Sequence, residues 1–168
     1  MLRRFLGRLR TFVRGLRDRS DVPVLVTRPP ATFLRGLRSD EFINKKLKQV
    51  KAAAFKPHDK SLEERKKANF EPSGHDSSIN WEDDVGALEL LRNDRSNAKA
   101  GVARVPHETL TALLQVGEPV LSTQLVCERR ALPKNRYHGN IVFLEGLDEA
   151  QRLQLCGYLA LQAKLVEE

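Results

Sequence analysis

Residues 1–17 carry the most regular hydrophobic pattern in the chain. At about 100° per residue, Leu2, Phe5, Leu6, Leu9, Phe12, Val13 and Leu16 fall within an arc of about 120°, and every arginine of the segment lies outside it. The pattern predicts a basic amphipathic helical arm over residues 1–20, with no acid before Asp18. Gly7 and Gly15 each weaken that helix by about 1 kcal/mol relative to alanine, so it needs a protein or lipid surface to form fully. An apolar run at 22–26 then ends at Arg28-Pro29-Pro30, which forces an extended exit. Residues 32–37 (TFLRGL) read as a strand carrying Arg35. Ser39, followed by Asp40 and Glu41, reads as the cap of a helix through Phe42, Ile43 and Leu47. Residues 50–55 (VKAAAF) fit either a strand or the continuation of that helix. Residues 56–76 read as a long exposed loop with one helical turn at 62–67.

The second half is more regular. A short extended segment at 78–81 leads through Glu82-Asp83-Asp84 into an amphipathic helix at 84–95 that buries Val85, Leu88 and Leu91. Residues 101–105 read as a strand, and Pro106 starts a helix over 107–116 with Leu110, Leu113 and Leu114 inward. Leu121, Thr123, Leu125 and Cys127 alternate along a strand at 121–130, and the turn at 133–135 folds it against 137–144 as a hairpin. An apolar helix over 147–166 closes the chain across that sheet. The expected class is α+β: a small, mostly antiparallel sheet with helices on one side, preceded by an amphipathic N-terminal helix. Residues 21–168 make a single domain, with its long polar loop near 56–76.

Composition narrows the possibilities. With 168 residues, 30% charged and 40% apolar, disordered, collagen-like and disulfide-scaffold chains are excluded. No run of about eighteen apolar residues offers a transmembrane helix. Cys127 and Cys156 form no spaced cluster, so neither a zinc site nor a disulfide framework is expected, and no cofactor. Two isolated thiols suit a cytoplasmic chain. If residues 1–20 act as an anchor or a transit peptide, the location becomes peripheral membrane or organellar.

Charge changes the picture more. The net is +6 over residues 1–20, +6 over 21–67 and −5 over 68–168. This polarity leads us to expect an accessory or interaction protein that docks on an anionic surface through its basic N-terminal half. Nucleic acid, an acidic partner protein and lipid all fit. The contacts would come from Arg3, Arg4, Arg8, Arg10, Arg14, Arg17, Lys45, Lys46, Lys48 and Lys51, with the apolar stripe of residues 2–16 as docking face.

Candidate chemistry is sparse, since no nucleotide-binding loop, dinucleotide fingerprint, nucleophile elbow or HExxH helix is present. Residues 74–84 gather His75, Asp76, Ser77, Ser78, Asn80 and the carboxylates Glu82, Asp83 and Asp84, a set that equally makes a turn and a helix cap. Tyr137-His138-Gly139-Asn140 opens an inner strand, where Gly139 would let a ligand approach and Asn140 needs a hydrogen-bond partner. Arg35, with Arg38 and Ser39 nearby, suits a phosphate or carboxylate. Together Arg35, Ser78, His138 and Asn140 make the alternative expectation: a pocket of a small toxin-like transferase or nuclease, in which the four side chains converge on one cleft.

The order FLRGLRSDEFI, VKAAAF, SSINWE, GVARV and YHGNIVF, followed by EAQRLQLCGYLALQAKLV, resembles a group of small bacterial proteins. The resemblance spans about residues 32–166 and implies a bacterial intracellular protein without implying an activity. Arg35 and Ser78 are also similar in placement to the arginine strand and later serine strand of ADP-ribosyltransferase-like toxins. That resemblance implies a dinucleotide pocket and a late glutamate, with Glu128 and Glu145 both open for that place.

Overall fold

Two strands with long buried runs, over residues 74–81 and 138–144, decide the centre of the fold. The computed structural model describes residues 24–25, 31–108 and 125–167. Its strands and helices are β1 (Val24–Leu25), β2 (Thr32–Leu37), β3 (Ile43–Asn44), β4 (Gln49–Val50), α1 (Ser61–Lys67), β5 (Gly74–Trp81), α2 (Val85–Asn93), β6 (Gly101–Pro106), β7 (Leu125–Arg129), β8 (His138–Leu144), α3 (Glu149–Gln162) and β9 (Lys164–Leu165). Seven strands form one sheet in the order β1-β7-β8-β5-β2-β6-β9, with every neighbouring pair antiparallel. The α+β class stands. The expected arm over 1–20, its arginines and apolar stripe, the helix over 107–116 and the first residues of the 121–130 strand lie outside the described residues.

One face of the sheet carries Phe33, Ile79, Trp81, Ile141 and Phe143, covered by α3 through Leu155, Cys156 and Leu159 and by a 3-10 turn at Ala52–Phe55. Each large side chain sealed there is worth about 2–3 kcal/mol. The opposite face carries Leu34 and Val102, which α2 covers with Ala87 and Leu91. α3 begins with a reciprocal cap, Asp148 accepting from the Gln151 amide at 2.8 Å and Gln151 accepting from the Asp148 amide at 2.9 Å.

Several expectations are corrected. The helix after Ser39 is only a 3-10 turn, Asp40–Phe42, followed by the β3–β4 hairpin. Asn44 Oδ1 accepts from the Leu47 amide at 3.2 Å and Lys48 adopts φ 50°, so a side chain captures a backbone donor that helix needs. The segment 50–55 is split between β4 and the turn at Ala52–Phe55. The loop expected over 56–76 contains the whole of α1, ended by Asn69 at φ 53°, and β5 already starts at Gly74. Val85 is 80% exposed rather than buried, because the Asp84 cap turns Ala87 and Leu91 inward instead. The closing helix stops at Gln162, and residues 164–165 pair with β6 as an edge strand.

Candidate functional site: a cleft where the sheet parts

β2 and β5 pair only at Phe33–Trp81 and Leu34–Asn80. Beyond that point β2 follows β6 and β5 follows β8, so the sheet parts and leaves a polar cleft. Two lobes occupy it, one of about 520 Å³ beside α2 and one of about 790 Å³ beside α1. They share Arg35, Arg38, Ser78, Leu132 and His138 as walls. Both volumes fall in the range of small-molecule sites.

Arg35 bridges the parting. Its Nε donates to the Ala54 carbonyl at 2.7 Å, and an Nη donates to the Ser78 carbonyl. Burial, and then the like charge of Arg38, push its pKa down to about 10, with no carboxylate acting in the other direction among the described residues. The guanidinium therefore stays charged at neutral pH while partly stripped of water and without a counter-ion among the described residues.

His138 sits on the opposite wall. Its Nδ1 lies 2.9 Å from the Arg130 carbonyl. Because a carbonyl only accepts, Nδ1 carries the proton and Nε2 is left as an acceptor. Burial lowers the pKa of the ring below 6.5, which keeps it neutral at physiological pH. Asp76 moves the other way: burial raises it above 3.8 against the pull of Arg65.

The expected residues of the pocket converge: Arg35, Ser78, His138 and Asn140 all line the larger lobe. Their roles differ from one another. Asn140 finds the partner its sequence position demanded, donating from Nδ2 to Glu128 Oε1 at 2.7 Å. Glu128 in turn holds Arg65 through both oxygens, at 2.6 and 3.0 Å, so the Asn140 amide shapes the wall rather than reaching a ligand. Gly139 is corrected. A Cβ there would strike the Trp81 indole nitrogen and the Glu128 carbonyl, so the glycine serves core packing, not ligand approach.

The constellation at 74–84 divides by parity. Asp76, Ser78 and Asn80 share the face of His138 and Asn140, their β8 neighbours, while His75 pairs with Phe143 on the other face. Glu82 binds Arg104, Asp83 binds Arg129, and Asp84 caps α2 through the Gly86 amide at 2.9 Å, so these acids are structural. Glu145 pairs with Lys66 and lies away from the cleft walls. Burial pushes both thiols up to about 12, which leaves them un-ionised and unreactive.

Sequence reasoning missed Arg65 as a cleft residue, and it placed Asn80 in the 74–84 constellation without setting it beside His138. The extended segment read at 78–81 already sets Ser78 and Asn80 on one face; no local signal marks Arg65. Among the described residues, Arg65 Nε, Ser77 Oγ and Asn80 Nδ2 are buried polar atoms without a hydrogen-bond partner. All three belong to residues lining this cleft. Elsewhere, no group of three or more metal-ligating side chains occurs among the described residues, and none of their helices is long and apolar enough to cross a membrane. No protein-family model, curated protein or solved structure matches this chain.

Proposed function

We propose that the parted sheet is the binding cleft for a small anionic compound, with Arg35 as the anchor of its phosphate or carboxylate. The observation that carries this reading is the half-buried Arg35 guanidinium, held by two carbonyls and paired with no carboxylate among the described residues, the acids Asp94 and Asp59, Glu64 and Asp76 standing elsewhere on the walls of the two lobes. A desolvated cation without a partner is costly, and an anion seated on it offsets that cost. Arg38 adds charge to the walls of both lobes. Anion capture needs only the pocket of the expected transferase or nuclease. No reaction follows from it, since the Asn140 amide is committed to Glu128.

Titrating the full chain with inorganic phosphate and pyrophosphate tests the reading. The unfolding temperature rises with either anion, because a ligand at about a hundred times its Kd adds about 2.7 kcal/mol. Arg35→Gln abolishes the rise while remaining folded. An equal rise in the variant, or none in the parent, removes the proposal.

A second reading keeps the docking expectation and rests on the β3–β4 hairpin. Lys46, Lys48 and Lys51 are exposed and hold no ion pair among the described residues, whereas Lys45 pairs with Asp40. Leu47 stands 59% exposed between them. A leucine among free lysines suits an anionic lipid surface, cations on headgroups and the apolar tip in the acyl boundary. Co-sedimentation with phosphatidylserine vesicles falls in a Lys46→Glu/Lys48→Glu chain; retention by that chain, or preference for nucleic acid over vesicles, rejects the lipid reading.

A further inference from the structure

The wall of the smaller lobe carries a donor and an acceptor side by side. Asn80 and His138 are direct cross-strand partners, so they share a face with Cβ atoms about 5 Å apart. Which amide atom of Asn80 is free follows from a chain of hydrogen bonds. The Tyr137 amide donates to Asn135 Oδ1 at 3.1 Å, which turns Asn135 Nδ2 toward Asn80 Oδ1 at 3.0 Å. Reversing Asn135 would set its Nδ2 against the Tyr137 N–H and its Oδ1 against Asn80 Oδ1, and reversing Asn80 would set donor against donor, so the orientation is fixed. Asn80 Nδ2 is then the unpaired donor, on a residue only 4% exposed. On His138 the Arg130 carbonyl fixes the proton on Nδ1 and leaves Nε2 as acceptor, with no hydrogen bond from the described residues.

We infer that Asn80 and His138 read an amide-type edge, one carbonyl oxygen and one N–H of the same group, on the compound whose anion sits at Arg35. The inference rests on the anion-cleft reading and narrows its ligand class. Asn80 Nδ2 donates to the ligand carbonyl, and His138 Nε2 accepts from the ligand N–H. An unpaired buried donor costs about 1–3 kcal/mol, which the ligand carbonyl relieves on seating against it. Arg35 and Arg38 line the same lobe, so the anion and the edge belong to one molecule. A lactam nucleobase and a simple carboxamide share this chemistry, and the lobe of about 520 Å³ admits either.

Calorimetry on the full chain at pH 8 separates the possibilities. Uridine 5′-monophosphate carries the lactam edge and a phosphate, and ribose 5-phosphate lacks the edge. Oxamate joins a carboxamide to a carboxylate, and acetate lacks the amide. Discrimination of about tenfold or more in favour of the edge-bearing member is expected in at least one pair, and the pair that shows it identifies the source. Asn80→Ala and His138→Gln bring the preferred compound down to the affinity of its edge-less counterpart and leave that counterpart unchanged. Equal affinity within both pairs in the parent chain overturns the inference without recourse to variants. If ribose 5-phosphate and inorganic phosphate also fail to bind, the anion cleft itself falls.

Discussion

Arg65 and Glu128 form a doubly hydrogen-bonded ion pair, at 2.6 and 3.0 Å, that ties α1 to β7 with the two side chains 1% and 0% exposed. The pair stands behind the larger lobe, and Asn140 completes it from β8. Such a pair holds its partners in one geometry, yet it adds little to net stability because both charges lose water. Removing a single partner is a different matter. Glu128→Ala leaves the buried Arg65 charge with only its longer contact to Asp76 at 3.4 Å and the Pro72 carbonyl and costs about 3–5 kcal/mol, to be measured by urea unfolding. An apolar replacement of both, Arg65→Met with Glu128→Leu, recovers most of that loss. A cost below about 1 kcal/mol for the single change would mean that water reaches the pair.

Gly139 lies against Trp81 at the crossing of β8 and the core. Gly139→Ala pushes a methyl into the indole nitrogen and the Glu128 backbone, and the indole loses its bond to the Glu128 carbonyl at 3.2 Å. Overpacking of this kind costs about 1–3 kcal/mol. Trp81 is the chain's single tryptophan, so its emission reports the change directly: the native spectrum shifts to longer wavelength together with a lower unfolding temperature.

Glu82 sets part of the acid limit. Partial burial opposes its ionisation, but hydrogen bonds from Arg104 and Thr32 overcome that and hold the carboxyl below 4.5. A depressed folded-state pKa contributes stability that is fully present above 4.5 and is lost as pH falls through the lower, folded value. Glu82→Gln therefore reduces stability at neutral pH and flattens its decline below pH 4.5. Parallel pH profiles of parent and variant would remove Glu82 from the acid response.

His138 acts in a higher window. Burial lowers its folded pKa below 6.5, reinforced by the Arg130 charge and opposed by the bond to the Arg130 carbonyl and by Asp76 and Glu128. The unfolded chain then binds the extra proton first, so stability is fully present above pH 6.5 and declines as pH drops toward the folded value. His138→Gln removes that slope, measurable as the unfolding temperature between pH 7.5 and 5.5. Asp76 has the opposite sign: its raised pKa means that ionisation above pH 3.8 costs stability, and Asp76→Asn relieves it.

Legibility in the sequence varied with the range of the forces involved. The strand TFLRGL was readable because its threonine and phenylalanine favour strand and a flanking Pro-Pro bounds it locally, and β2 spans the same residues. The β7–β8 hairpin was readable because its turn and both strands are adjacent in the chain. The helix after Ser39 misled because its cap and first-turn acids are genuine, while Asn44 and the left-handed Lys48 break the run only a few residues later. Of the candidate pocket, the identities of Arg35, Ser78, His138 and Asn140 were visible as residues in unusual company, though not what each one does.

The amino-acid order alone determined the α+β class, the hairpin that joins β7 to β8 and the charge polarity between the two ends of the chain. Those follow from interactions within a few residues and from composition. Tertiary structure alone decided that β2 leaves β5 after Leu34, that Arg65 reaches Glu128 across sixty-three positions, and that Asn80 keeps a free donor beside His138. These depend on where separate strands part and which buried groups find partners, and pairing between distant segments leaves no local trace in either one.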